Sequence, residues 1–129
     1  MPRSYTLTRI GNLLFTRAAV SGPAGTKIIH LLIDTGSSYT ILPVEVLESI
    51  GLSPAESRQH QRILTGSGYI IAPKLKVTSL NTCGRSFREA VVIGHTLLSG
   101  SVIDGLLGMD LLCRLNAKIS VAIGRLEIK

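Results

Sequence analysis

The run Ile28-Ile-His-Leu-Leu-Ile33 is almost wholly apolar, and it ends directly in Asp34-Thr-Gly-Ser37. Few folds accommodate that junction. An apolar run this short reads as a strand, and because it does not alternate it is predicted to be covered on both faces. The polar loop that follows lifts one carboxylate to the mouth of a dry core. Gly36 lets the backbone turn tightly and brings its N–H toward that carboxylate, while the hydroxyls of Thr35 and Ser37 can fix the loop. Asp-Thr-Gly is also an ordinary turn sequence, so the junction alone leaves a structural and a catalytic reading open. His30, inside the strand, reads as a packed or edge-facing histidine.

Around this strand the chain reads as mainly β. Tyr5-Thr-Leu-Thr-Arg-Ile10 alternates at period two, Leu13 to Val20 continues as strand, and Ser21-Gly-Pro-Ala-Gly25 turns into Thr26 to Ile33. Tyr39-Thr-Ile-Leu42 is a short strand. Pro43-Val-Glu-Val-Leu-Glu-Ser-Ile50 is the best helix: Pro43 suits its first turn, Glu45 and Glu48 lie near its positive end, and Gly51 stops it. Arg62 to Thr65 and Tyr69 to Ala72 flank Gly66-Ser67-Gly68 as a hairpin. Leu75 to Leu80 and Phe87 to Ile93 are further strands, joined through the turn Asn81-Thr-Cys-Gly84. Ser101-Val-Ile-Asp-Gly-Leu-Leu107 leads into a short helix over Met109 to Leu115. Ala117 to Ile123 and Leu126 to Ile128 then close as a hairpin at Gly124-Arg125. No linker interrupts this series, so residues 1–129 are predicted to form one mainly β domain with two short helices.

Composition removes several functions. Of 129 residues, 45% are hydrophobic and 17% charged, enough apolar material for a core. No apolar run approaches the roughly 18 residues of a membrane span. The formal net charge is +6, but the basic residues are scattered, which reads as solvated surface and not as a nucleic-acid site. Aromatic residues make up 4% and Trp is absent, so base-stacking platforms are not expected. Cys83 and Cys113 lack metal-ligand spacing and read as buried packing thiols; no metal or other cofactor is expected. Reduced thiols make the cytosol the default compartment. The chain has no acid before Asp34, yet the strand alternation of that segment argues against a cleavable targeting peptide. Of eight acidic residues three are aspartates, Asp34, Asp104 and Asp110. Asp110 falls in the first turn of a helix, where a carboxylate caps N–H groups. Asp104-Gly105 reads as a turn or strand end.

Three features come in a telling order: Asp34-Thr-Gly-Ser37 after Leu31-Leu-Ile33, the hairpin Arg62-Ile-Leu-Thr-Gly-Ser-Gly-Tyr-Ile-Ile71, and Leu106-Leu-Gly-Met-Asp-Leu-Leu112 entering a helix. Between the last two, Asn81-Thr-Cys-Gly-Arg-Ser-Phe-Arg-Glu-Ala-Val-Val-Ile-Gly94 supplies the intervening strands. From about Thr26 to Lys129 the chain thereby resembles the retroviral-type (retropepsin-like) aspartic proteases. It is more similar to their cellular and bacterial branch than to the viral enzymes. Viral members usually pair an acid shortly after the Asp-Thr-Gly with an arginine after the later glycine. Those places hold Ser38 and Met109 here, and with both partners absent no lone charge is left behind.

The resemblance implies a single-lobed acid-protease fold, a closed and mostly antiparallel β barrel. It implies that Asp34 is catalytic, that the Thr35 hydroxyl bonds across a dimer, and that Gly36 bonds substrate through its backbone, with Ser37 supporting the loop. It implies that Gly66, Ser67, Gly68 and Tyr69 form a flap over bound peptide, and that Leu106, Leu107 and Gly108 pack beneath the aspartate loop. Ile41, Ile70, Ile71, Ile103 and Leu106 are candidate subsite walls, or core.

Hydrolysis by carboxylates alone needs a base to take a proton from water and an acid to protonate the carbonyl oxygen. Two carboxyls held close together share one proton and supply both. With one Asp-Thr-Gly per chain, and Asp104 lacking a hydroxyl-Gly loop of its own, the second carboxyl is expected from an identical partner across a two-fold axis. The expected protein is a homodimeric aspartic endopeptidase that binds an extended peptide or protein segment as an added strand. The alternative is a non-catalytic peptide-binding or dimerisation module of the same fold.

Overall fold

A computed structural model describes residues 3–65, 67–96 and 103–128. Their strands are β1 (Arg3–Thr6), β2 (Thr8–Ile10), β3 (Leu13–Gly22), β4 (Gly25–Ile33), β5 (Ile41–Leu42), β6 (His60–Thr65), β7 (Gly68–Lys76), β8 (Ser79–Thr82), β9 (Arg85–Arg88), β10 (Val91–Gly94), β11 (Leu106–Leu107), β12 (Lys118–Ser120) and β13 (Arg125–Ile128). Two helices join them, α1 (Val44–Ser49) and α2 (Met109–Leu115), with a single 3-10 turn at Pro54–Glu56. The architecture is mainly β with two short helices, as expected. One sheet runs β6-β7-β10-β5-β11-β4-β3-β8-β9 with β2 beside β3, and the other runs β1-β13-β12. The larger sheet curls into a half-barrel, which is the form the expected barrel takes. Its pairings are antiparallel except for β10 with β5 and β11 with β4.

Both helices stop where their sequences say they should. Gly51 has φ +92°, and the amides of Gly51 and Leu52 return to Glu48 and Leu47, a Schellman closure. Asn116 does the same for α2 at φ 54°, with Ala117 N–H returning to Leu112. The core lies between the concave sheet and these helices, where Val20, Leu31, Leu47, Leu107, Leu115 and Leu126 are all buried. The smaller sheet is tied to the larger by Leu7 N–H on the Gly124 carbonyl at 2.8 Å and by the Arg9 guanidinium on the Val121 carbonyl.

Several segments differ from the sequence reading, each for a physical reason. β4 is not covered on both faces: Ile29 and Leu31 are buried, but Ile28 is 49% exposed and His30 is exposed. Only one face of the half-barrel meets the core, so the apolar run alternates after all. Leu75 to Leu80 is not one strand, because β7 ends at Lys76 and β8 starts at Ser79. Between them Val77 N–H bonds Ala90 and Thr78 N–H bonds Ser21, which hands the chain from one neighbour to another. Phe87 to Ile93 breaks at Glu89, whose φ of 51° ends β9. β7 runs straight through Pro73. Lys74 N–H bonds Gln59 on the β6 side, and the β10 ladder ends at the Ile93–Lys74 pair, so the N–H that proline lacks has no partner waiting. In the 101–107 segment that leads into α2, Leu106–Leu107 is β, and residues 101 and 102 lie outside the described set. β12 stops at Ser120, and residues 121–124 form the turn into β13. Cys83 is buried as expected; Cys113 is exposed on α2.

Candidate active site

β4 delivers Asp34 and β11 holds it there. The parallel pairs Leu32–Leu106 and Ile33–Leu107 bring the two segments together, and Asp34 N–H then bonds the Leu107 carbonyl at 3.0 Å. Asp34 Oδ1 accepts the Gly36 N–H at 3.0 Å, and its carbonyl accepts the Ser37 N–H at 3.2 Å. A Cβ on Gly36 would stand 3.3 Å from that carboxylate oxygen, so glycine keeps the amide and the acid in register. Ser37 Oγ donates to the Tyr39 carbonyl at 2.7 Å, which closes the loop. Thr35 and Gly36 are exposed at the tip. Asp34 and Thr35 border an open cleft of about 480 Å³ with Leu13, Ile33, Ile119 and Val121. A wider depression of about 520 Å³, bordered by Arg17, Ile28 and Arg85, lies on another part of the surface and does not include Asp34.

Leu106, Leu107 and Gly108 pass beneath this loop. Leu107 and Gly108 are buried, and the loop is strapped to them: Met109 N–H bonds the Ser37 carbonyl at 2.8 Å, and Gly108 N–H bonds Thr40 Oγ1 at 3.2 Å. The sequence reading had not singled out Thr40. A fully buried hydroxyl just ahead of a short strand is a weak signal, because its partners lie far along the chain.

The β6–β7 hairpin pairs Leu64 with Tyr69 and Ile63 with Ile70. Neighbouring pairs face opposite ways. Ile63 and Ile70 pack, with Tyr39 and Leu106, on a small core of Ile41, Ala72 and Ile93. Tyr69 and Ile71 lie on the other face, where Ile71 is 65% and Leu64 82% exposed and the Arg62 guanidinium sits 4.8 Å from the centre of the Tyr69 ring. Of the candidate subsite residues, Ile41, Ile70 and Leu106 therefore come together, and Ile71 does not join them. Ile63, which sequence reasoning passed over, belongs with them; its pairing with Ile70 about the glycine tip was the available signal. Ser67 and Gly68 occupy the tip, while Gly66 lies outside the described residues.

The remaining aspartates have other partners. Asp104 Oδ2 accepts the His30 N–H at 3.1 Å, a strand-end role. Asp110 Oδ1 accepts the Leu111 N–H at 2.8 Å within the first turn of α2, and both its oxygens also reach Thr40. No group of three His, Cys, Asp or Glu side chains suited to a metal occurs among the described residues, and no helix there is long and apolar enough to cross a membrane.

A family model described as aspartyl protease matches residues 17–111. Curated protein sequences contain no significant match. Among solved structures, the chain is similar to the crystal structure of a retropepsin-like aspartic protease from Rickettsia conorii. The TM-score is 0.70 at 21% sequence identity, over 99% of this chain and 91% of that one. At that identity the likeness speaks for the fold.

Proposed function

The chain belongs to the aspartyl protease family, and from that premise we propose that it is an endopeptidase whose active site forms between two copies, each contributing Asp34. The observation that carries this reading is the Asp34 loop itself. A carboxylate stands at a strand exit with its Oδ1 held by the Gly36 N–H, above a buried Leu107-Gly108 strap and on the edge of an open cleft. One such carboxylate can act as base or as acid; peptide hydrolysis needs both.

In the proposed dimer the two Asp34 carboxyls share one proton. The ionised member takes a proton from a water as that water attacks the peptide carbonyl carbon, and the protonated member gives its proton to the carbonyl oxygen. The tetrahedral adduct then collapses: the protonated carboxyl gives its proton to the nitrogen, the ionised carboxyl takes a proton from one hydroxyl of the adduct, and the C–N bond breaks to leave a free amine, a carboxylic acid and a dyad that again holds one proton. Substrate lies extended beneath the β6–β7 hairpins, with Ile63 and Ile70 on the face that meets it. Two features support the partner being a second copy. Leu13, Met109 and Val121 are exposed large apolar residues that border the clefts containing Thr35. β12 ends its sheet path with one edge unpaired among the described residues, whereas β13 is paired on both edges.

Cleavage of a peptide library by the purified protein tests the reading. Wild-type chain is expected to cut internal bonds, to be blocked by pepstatin, and to slow as pH rises and the shared proton is lost. Asp34→Asn is expected to lower kcat by at least about a thousandfold. Equal cleavage by Asp34→Asn, or a rate flat from acidic to alkaline pH, would refute it. Peptide binding without any cleavage would favour the non-catalytic module.

A further inference from the structure

The Asp110 carboxylate is bound to the far side of the Asp34 loop. Thr40 N–H donates to Oδ2 at 3.1 Å, and Thr40 Oγ1 donates to Oδ1 at 2.8 Å, across 70 residues of sequence. Leu111 N–H, also on Oδ1 at 2.8 Å, is the local contact. Thr40 is fully buried at 0% exposure and has every polar group in use: its hydroxyl oxygen accepts Gly108 N–H, and its carbonyl accepts Ile93 N–H at 3.0 Å. It closes the segment that starts at Asp34 and is held midway by Met109 N–H on the Ser37 carbonyl. The Asp34 loop is thus fixed at one end by β4 and at the other by Asp110.

We propose that Asp110, acting through Thr40, is a positioning residue for Asp34. The inference rests on the reading of Asp34 as the catalytic carboxylate. The pattern demands a carboxylate in particular, because all three groups on Asp110 are donors. An asparagine amide would turn its N–H₂ against either Thr40 N–H or Leu111 N–H, whichever way it lay. A serine at Thr40 keeps the hydroxyl that links Asp110 to Gly108, and a valine keeps only the shape. If the loop is loosened, Asp34 loses its placement against substrate and against its counterpart. That loss appears in the transition state more than in binding.

The test compares Asp110→Asn, Thr40→Val and Thr40→Ser with the wild-type chain. Asp110→Asn and Thr40→Val are expected to lower kcat roughly tenfold to a hundredfold while KM moves by less than about threefold. Thr40→Ser is expected to stay within about threefold of wild-type kcat. Amide hydrogen exchange reads the same claim without activity: residues 35–39 should exchange faster in the two disrupting variants, with the β3–β4 ladder as protected as in wild type. Wild-type kcat and exchange in Asp110→Asn and Thr40→Val would overturn the proposal. So would exchange that rises evenly along the chain, which marks general destabilisation. A wild-type protein that cleaves nothing, with the local exchange pattern intact, would refute Asp34 as catalytic while supporting the strap.

Discussion

At Gly108 the chain has no room for a side chain. The backbone there is extended, with φ −91° and ψ 180°, so the restriction is steric. A Cβ would meet the Tyr39 carbonyl oxygen at 2.3 Å and the Ser37 carbonyl oxygen at 3.0 Å. Both atoms belong to the turn that follows Asp34, so Gly108→Ala must push the loop and the start of α2 apart. The expected cost is about 1–3 kcal/mol in chemical denaturation, with a fall in kcat beyond what the unfolded fraction explains. An unchanged denaturation midpoint would contradict the close approach. From sequence, Gly108 could be set beneath the aspartate loop by resemblance, but its steric reason could not be read, since it depends on where residues 37–39 sit. Asp110 is similar. An acid in the first turn of a helix announces its bond to a nearby N–H, while Thr40 lies 70 residues away and leaves no local trace.

Among the elements, the β6–β7 hairpin separates neighbours in sequence into different roles. Ile70 packs toward Ile41 and Leu106, whereas Ile71 points to the opposite face. Ile70→Ala is expected to lower kcat/KM about tenfold or more, because it removes methylenes from the surface proposed to meet the substrate. Ile71→Ala is expected to change it by less than about twofold, like most exposed substitutions. Steady-state kinetics on one peptide decides, and equal effects of the two would contradict the facing assigned to the hairpin. The existence of this hairpin was legible in its glycines and its flanking apolar residues, and so were α1 and α2 in their caps. Strand ends were not. Pro73 looks like a stop yet lies mid-strand, because its missing N–H falls past the end of the β10 ladder, while Glu89 looks innocuous and breaks a strand through its φ of 51°. Those outcomes are decided by pairing across the sheet, which local sequence does not contain.

On the scale of the whole molecule, one chain supplies half of the proposed site. Each copy brings a single Asp-Thr-Gly, an exposed Thr35 beside it, and apolar residues such as Val121, 64% exposed, around the same cleft. The two further aspartates are held by His30 and by Thr40, so neither stands ready as an internal second acid. The most direct measurement mixes wild-type chain with Asp34→Asn by co-refolding, at constant total protein above the dimerisation range, and follows peptide cleavage against the wild-type fraction. A dyad shared between copies makes every mixed dimer inactive, so an equal mixture should retain roughly one quarter of the wild-type rate. About one half, a rate linear in the wild-type fraction, would mean that each chain works alone, and would contradict the shared site.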